Sequence, residues 1–141
     1  MALRDMPHLG TLEKRLKAVD PDRYLIFMPE TECFVEYLVE FGHIFKMPVQ
    51  LNRREPSSCF SNVAAIYLHN PSMEVAVGYV GGLGKDDLWR QHAWLVDDGK
   101  IIETTLKRRL YFGVILPTPE MIHEFVFSNL SEDFDINTEG K

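Results

Sequence analysis

Four segments of the chain hold residue types that together can do acyl chemistry. In order they read Ser57-Ser58-Cys59-Phe60, Gln91-His92-Ala93-Trp94, Ile101-Ile102-Glu103-Thr104-Thr105 and Tyr111-Phe112-Gly113-Val114. They supply a thiol, an imidazole, a carboxylate and a following strand. A thiolate attacks a carbonyl carbon, an imidazole moves the proton, and a carboxylate orients and stabilises the charged imidazole. The chemistry is acyl transfer through a thioester.

The elements that must carry these groups can be read from periodicity. Ser57 or Ser58 is the cap of a helix in which Phe60, Val63, Ala64 and Tyr67 recur at i, i+3, i+4 and i+7. Cys59 then lies in the first turn. There unpaired N–H groups and the positive end of the helix dipole favour a thiolate. The same N–H groups can donate to an oxyanion, a contribution whose loss typically costs ~100-fold or more in rate. Residues 91–96 and 100–105 read as two strands joined around Asp97-Asp98-Gly99, a hairpin signal. If Asp98-Gly99 is the turn, His92 faces Thr105 and Glu103 is its diagonal neighbour, at roughly 7–8 Å between backbones. If Asp97-Asp98 is the turn, His92 and Glu103 lie directly opposite. Either even register puts both on one face, while an odd loop or a bulge separates them. Trp94 shares that face, as a shield for the pair or as core.

The rest of the chain reads as scaffold. Thr11 is the expected cap of a first helix that Pro21 stops, and residues 24–28 form a short apolar run. Phe34, Leu38 and Phe41 have helical spacing after Thr31, with Gly42 at the end, while the frequent β-branched and aromatic residues there also suit a strand. Residues 47–56 read as an irregular loop. Val75, Val77 and Tyr79 alternate as in a half-buried strand, and a glycine-rich connection follows at 81–87. A strand over 111–116 precedes a last helix capped by Thr118, with Pro119 at its first position. The acidic tail from Ser131 is expected to be loose. The expected architecture is one α+β domain over residues 1–141. N-terminal helices and a nucleophile-bearing helix pack on an antiparallel sheet, and a C-terminal helix closes it.

Composition narrows the function classes. A 141-residue chain of 45% hydrophobic residues fits one core without disulfide or metal. A net charge of −6 argues against a nucleic-acid partner, and Lys107-Arg108-Arg109 reads as a solvated edge. The two cysteines, Cys33 and Cys59, make no disulfide framework, and Cys33 reads as core. No signal-like start or membrane-length apolar run is evident, so a cytoplasmic protein in a reducing compartment is expected. His8, His43, His69 and His123 have no ligand spacing, and Gly84-Lys85 lacks a P-loop pattern, so neither a metal nor a nucleotide cofactor is expected.

Across roughly residues 56–116 the pattern resembles the papain-like cysteine peptidase and transglutaminase-like superfamily. Ser57-Ser58-Cys59-Phe60 is similar to the small-small-Cys-aromatic nucleophile segment of papain-like enzymes. His92-Ala93-Trp94 followed by Glu103-Thr104-Thr105 resembles the His-x-Trp and Asp-x-Thr strands of the transglutaminase-like core, with Glu in place of Asp. The resemblance implies a catalytic triad of Cys59, His92 and Glu103. It also implies an oxyanion-hole residue before the cysteine, for which the candidates are Gln50 and Asn52. The expected activity is that of a thiol hydrolase or acyltransferase (peptidase, amidase, deamidase or transglutaminase-like) on a peptide, protein or small amide or ester. The rival expectation is an inert binding module of the same fold that holds a peptide, protein or small molecule.

Overall fold

The computed structural model describes residues 7–25, 32–85 and 87–130. It is a mixed α and β structure with helices α1 (Pro7–Val19), α2 (Glu32–Phe41), α3 (Cys59–His69) and α4 (Pro119–Asn129). The strands are β1 (Tyr24–Leu25), β2 (His43–Ile44), β3 (Val49–Leu51), β4 (Glu74–Gly81), β5 (Leu88–Asp97), β6 (Lys100–Glu103) and β7 (Leu110–Ile115). They hydrogen-bond in the order β2-β7-β4-β5-β6-β3, with β1 pairing β5 off this path. Pairing is mostly antiparallel. β4 and β5 are joined by a link too short for a parallel crossover. Leu116 N donates to Val75 O and Arg109 N to Gly81 O, an antiparallel sequence of partners for β7 and β4. The exceptions are β1 with β5 and β3 with β6, which are parallel.

Internal contacts divide the chain into two compact units. One comprises residues 1–45, 78–91 and 108–114. Within it, Leu12 and Leu16 of α1 and Phe34, Val35 and Leu38 of α2 are buried. Arg15 donates to the carbonyls of Leu38, Val39 and Gly42 at the end of α2, satisfying orphan groups that a helix leaves there. The α1 helix begins at Pro7, so Thr11 lies inside it rather than at its cap. Residues 26–28, Thr31 and the Cys33 side chain lie outside the described residues, as does the tail from 131.

The second unit, residues 46–77, 92–107 and 115–141, contains all five candidate site residues. Here α3 buries Asn62, Val63, Ala64 and Ile66, and α4 buries Phe125 and Val126. The Phe60 and Phe125 rings meet at 5.9 Å. Thr118 caps α4 as expected, accepting from Met121 N at 3.2 Å. Residues 47–56 are not wholly irregular. β3 pairs with β6, with Val49, Gln50 and Leu51 opposite Ile101, Ile102 and Glu103. A short parallel edge strand of this kind is fixed by its partner rather than by its own alternation, which is why its residues read as loop. β4 also departs from expectation. Every residue from Val75 to Gly81 is buried, so both faces of β4 are covered rather than one.

The hairpin turns at Asp98-Gly99. Asp97 pairs with Lys100, Val96 with Ile101 and Leu95 with Ile102. Both turn residues have positive φ, 52° and 72°, as a type I′ turn requires. A Cβ on Gly99 would meet nothing within 4 Å, so Gly99→Ala tests the backbone alone. The expected loss is about 1–2 kcal/mol, read from the midpoint of urea unfolding. An unchanged midpoint would contradict the left-handed turn.

Candidate active site

The helix that carries Cys59 starts abruptly. Ser57 is left-handed at φ 57°, a conformation that costs an ordinary residue energy and recurs at functional turns. Ser58 occupies the cap position, but its side chain makes no cap bond. Its backbone, at ψ 40°, is outside the extended region that capping uses, and its hydroxyl donates instead to Pro56 O at 3.3 Å. The Ser58 side chain therefore does not compete for the first-turn N–H groups beside Cys59. Cys59 is the first residue of α3 and is half-buried.

His92 lies in β5 with 3% of its surface exposed, and Glu103 ends β6 with none exposed. The observed register places Glu103 diagonally from His92, and the two side chains meet. His92 Nε2 is 2.8 Å from one carboxylate oxygen and 3.1 Å from the other. Thr105 fixes the carboxylate from behind, donating its N–H at 2.8 Å and its hydroxyl at 2.9 Å to Oε2. With Nε2 committed to Glu103, Nδ1 is the ring nitrogen left for the hydrogen bond between His92 and Cys59. The Trp94 ring, fully buried, lies 6.2 Å from the imidazole centroid at 25°. It is core and at the same time a screen for the pair.

Opposing influences set the charges. Burial would push the His92 imidazolium down. The hydrogen bonds to Cys59 and Glu103, and the charges on both, outweigh it and raise the group to about 9. Burial would likewise push the Cys59 thiol up. The hydrogen bond and charge of His92, with a hydrogen bond from Ala93 N–H, bring it below its ordinary value despite the opposing charge of Glu103. Both shifts favour the thiolate–imidazolium pair over the neutral thiol and imidazole.

Ala93 is available as a donor because the β5–β6 ladder stops early. In this hairpin Asp97/Lys100 and Leu95/Ile102 are the hydrogen-bonded pairs, so Ala93/Thr104 would be next. Thr104 O accepts from Arg54 N at 2.8 Å, and Thr105 N turns back to the Glu103 carboxylate. The unused Ala93 N–H goes to the sulfur.

Cys59, His92 and Glu103 are thus brought together, and Gln50 and Asn52 are not. Both are exposed. Gln50 is opposite Ile102, which precedes Glu103, so it lies on the other face of the sheet from the Glu103 carboxylate. Asn52 is tied to the acid strand only by its backbone, donating N–H to Glu103 O at 2.7 Å. Three contributors escaped the sequence reading: Thr105, the Ala93 N–H and Asn62. The buried face of α3 is signalled by a stripe that begins at Cys59. Cys59, Asn62, Val63 and Ile66 are spaced i, i+3, i+4 and i+7. Starting that stripe at Phe60 conceals the one amide within it.

Among the described residues no group of three His, Cys, Asp or Glu side chains could hold a metal, and no helix is long and apolar enough to cross a membrane. Compared with protein-family models, curated proteins and solved structures, the chain matches none.

Proposed function

We propose that the protein is a thiol-dependent hydrolase or acyltransferase acting on an amide or ester through Cys59, His92 and Glu103. The observation that carries this reading is one buried imidazole hydrogen-bonded on one side by a buried carboxylate and on the other by a thiol at a helix start. The Cys59 thiolate attacks the carbonyl carbon, and the oxyanion is held by main-chain N–H groups at the start of α3. The His92 imidazolium gives its proton to the departing amine or alcohol, leaving a thioester. Water or an amine then attacks, His92 takes its proton, and the thiolate is released. Glu103 keeps the ring oriented and stabilises its charged form throughout. The reading includes a papain-like or transglutaminase-like core, a peptide, protein or small amide or ester substrate, and a reducing, cytoplasmic setting in which the thiol persists.

The test is alkylation with iodoacetamide between pH 5 and 9. Labelling of Cys59 is expected to be half-maximal well below the ~8.5 of an ordinary thiol, and to lose that property in His92→Ala. An ordinary or unreactive Cys59 would favour a binding module instead.

A further inference from the structure

The mechanism needs the sulfur on α3 to meet an imidazole on β5 whose carboxylate partner ends β6. Hydrogen bonds to the thiol alone do not fix how far α3 rolls or slides against those strands. A buried amide does. Asn62 lies one turn after Cys59 on the same face of α3 and is only 8% exposed. Its Nδ2 donates to Glu55 O at 2.8 Å and to the hydroxyl oxygen of Thr104 at 3.3 Å. Glu55 belongs to the segment that leads into the helix. Thr104, fully buried, directly follows Glu103. The carbonyl of the same Thr104 accepts from Arg54 N, so loop, helix and acid strand meet at this residue.

We propose that Asn62 is a positioning residue that, through Thr104, holds the nucleophile helix in register with the strand carrying Glu103. One amide hydrogen bond joins the helix bearing the thiol to the residue after the acid, and the other ties the same side chain to the segment leading into the helix. An apolar residue at 62 would bury as well but would leave α3 free to adjust along the sheet. The bond is short-ranged and directional, and a misplacement of about 1 Å at a reacting group can cost on the order of 100-fold in rate. This inference rests on the reading of Cys59 as an activated nucleophile.

The experiment compares Asn62→Ala, Thr104→Val, Thr104→Ser and the double variant Asn62→Ala with Thr104→Val. Iodoacetamide labelling of Cys59 is followed against pH, alongside urea unfolding. Asn62→Ala and Thr104→Val are each expected to slow labelling at pH 6.5 by about 10-fold and to move the labelling midpoint upward. Thr104→Ser, which keeps the hydroxyl, should label like the unaltered protein. The double variant should be no slower than the slower single one, because both changes remove the same bond. Thr104→Val removes an acceptor with little change in volume and carries the test if Asn62→Ala does not fold. Lower unfolding midpoints with an unchanged labelling profile would overturn the positioning role and leave the proposed function standing. An ordinary labelling midpoint in the unaltered protein would overturn both.

Discussion

Glu103→Ala is expected to destabilise the protein by about 3–5 kcal/mol, the usual cost of removing one partner from a buried ion pair. The carboxylate is fully buried and receives His92 Nε2, the Thr105 N–H and the Thr105 hydroxyl. Its removal strands all three donors and leaves a cavity. Against a typical net stability of about 5–15 kcal/mol, such a loss would unfold a marginal domain outright. Glu103→Gln separates charge from volume. It fills the site but offers one acceptor oxygen, and it withdraws the negative charge that helps raise His92. A smaller loss of stability, with the imidazolium deprotonating below about 9, is expected. Urea unfolding at pH 7 and NMR titration of the His92 ring would measure the two effects. A loss under about 1 kcal/mol in Glu103→Ala would show that the carboxylate is not buried as described.

His92→Ala is expected to abolish the low-pH reactivity of Cys59 and, in the proposed reaction, to cost about 100- to 10,000-fold in turnover. Without the imidazole, burial still pushes the thiol up and only the Ala93 N–H pulls it down. At pH 6.5 an ordinary thiol is only about 1% ionised. A more basic sulfur is also a better nucleophile, so the alkylation rate should fall by less than the thiolate fraction does. Turnover in the unaltered protein should rise as the thiolate forms, below the ordinary thiol range, and fall as the imidazolium deprotonates near 9.

Stability should behave differently from turnover. The raised His92 contributes stability that is complete below about 6.5 and lost as pH rises through about 9. The lowered Cys59 contributes stability present above the ordinary thiol value and lost as pH falls through its own lower one. Where both shifts act, one contribution declines while the other grows, since the folded form (thiolate and imidazolium) and the unfolded form (thiol and imidazole) each hold one proton on the pair. This pair therefore adds little pH dependence to unfolding in the range where it is formed, whereas turnover is expected to fall away at both edges of that range. A steep slope that disappears in His92→Ala would contradict the paired charges.

The site was legible where local chemistry leaves few choices. Asp98-Gly99 accepts positive φ at both turn positions, and that fixes the register which sets His92 and Glu103 on one face. Thr118-Pro119 likewise marks the start of α4. The sequence reading ran out where position depends on distant partners. β3 exists because β6 offers it an edge, and its parity sets Gln50 on the far face. Ser58 reads as a capping residue, but the left-handed Ser57 before it belongs to a turn in which the hydroxyl meets Pro56 instead. Asn62 and Thr104 are 42 residues apart, and neither alone announces a bond to the other.

The Ala93 hydrogen bond has a consequence for how this site can vary. The other groups that act directly on the sulfur, His92 and Glu103, do so through side chains open to replacement one codon at a time. The peptide N–H at position 93 is encoded by nearly any amino acid, so substitution there alters bulk before it alters the donor. Only proline deletes it. Inheritance of this part of the thiolate's environment resides in the path of the chain, and a survey of side-chain variants would pass over it.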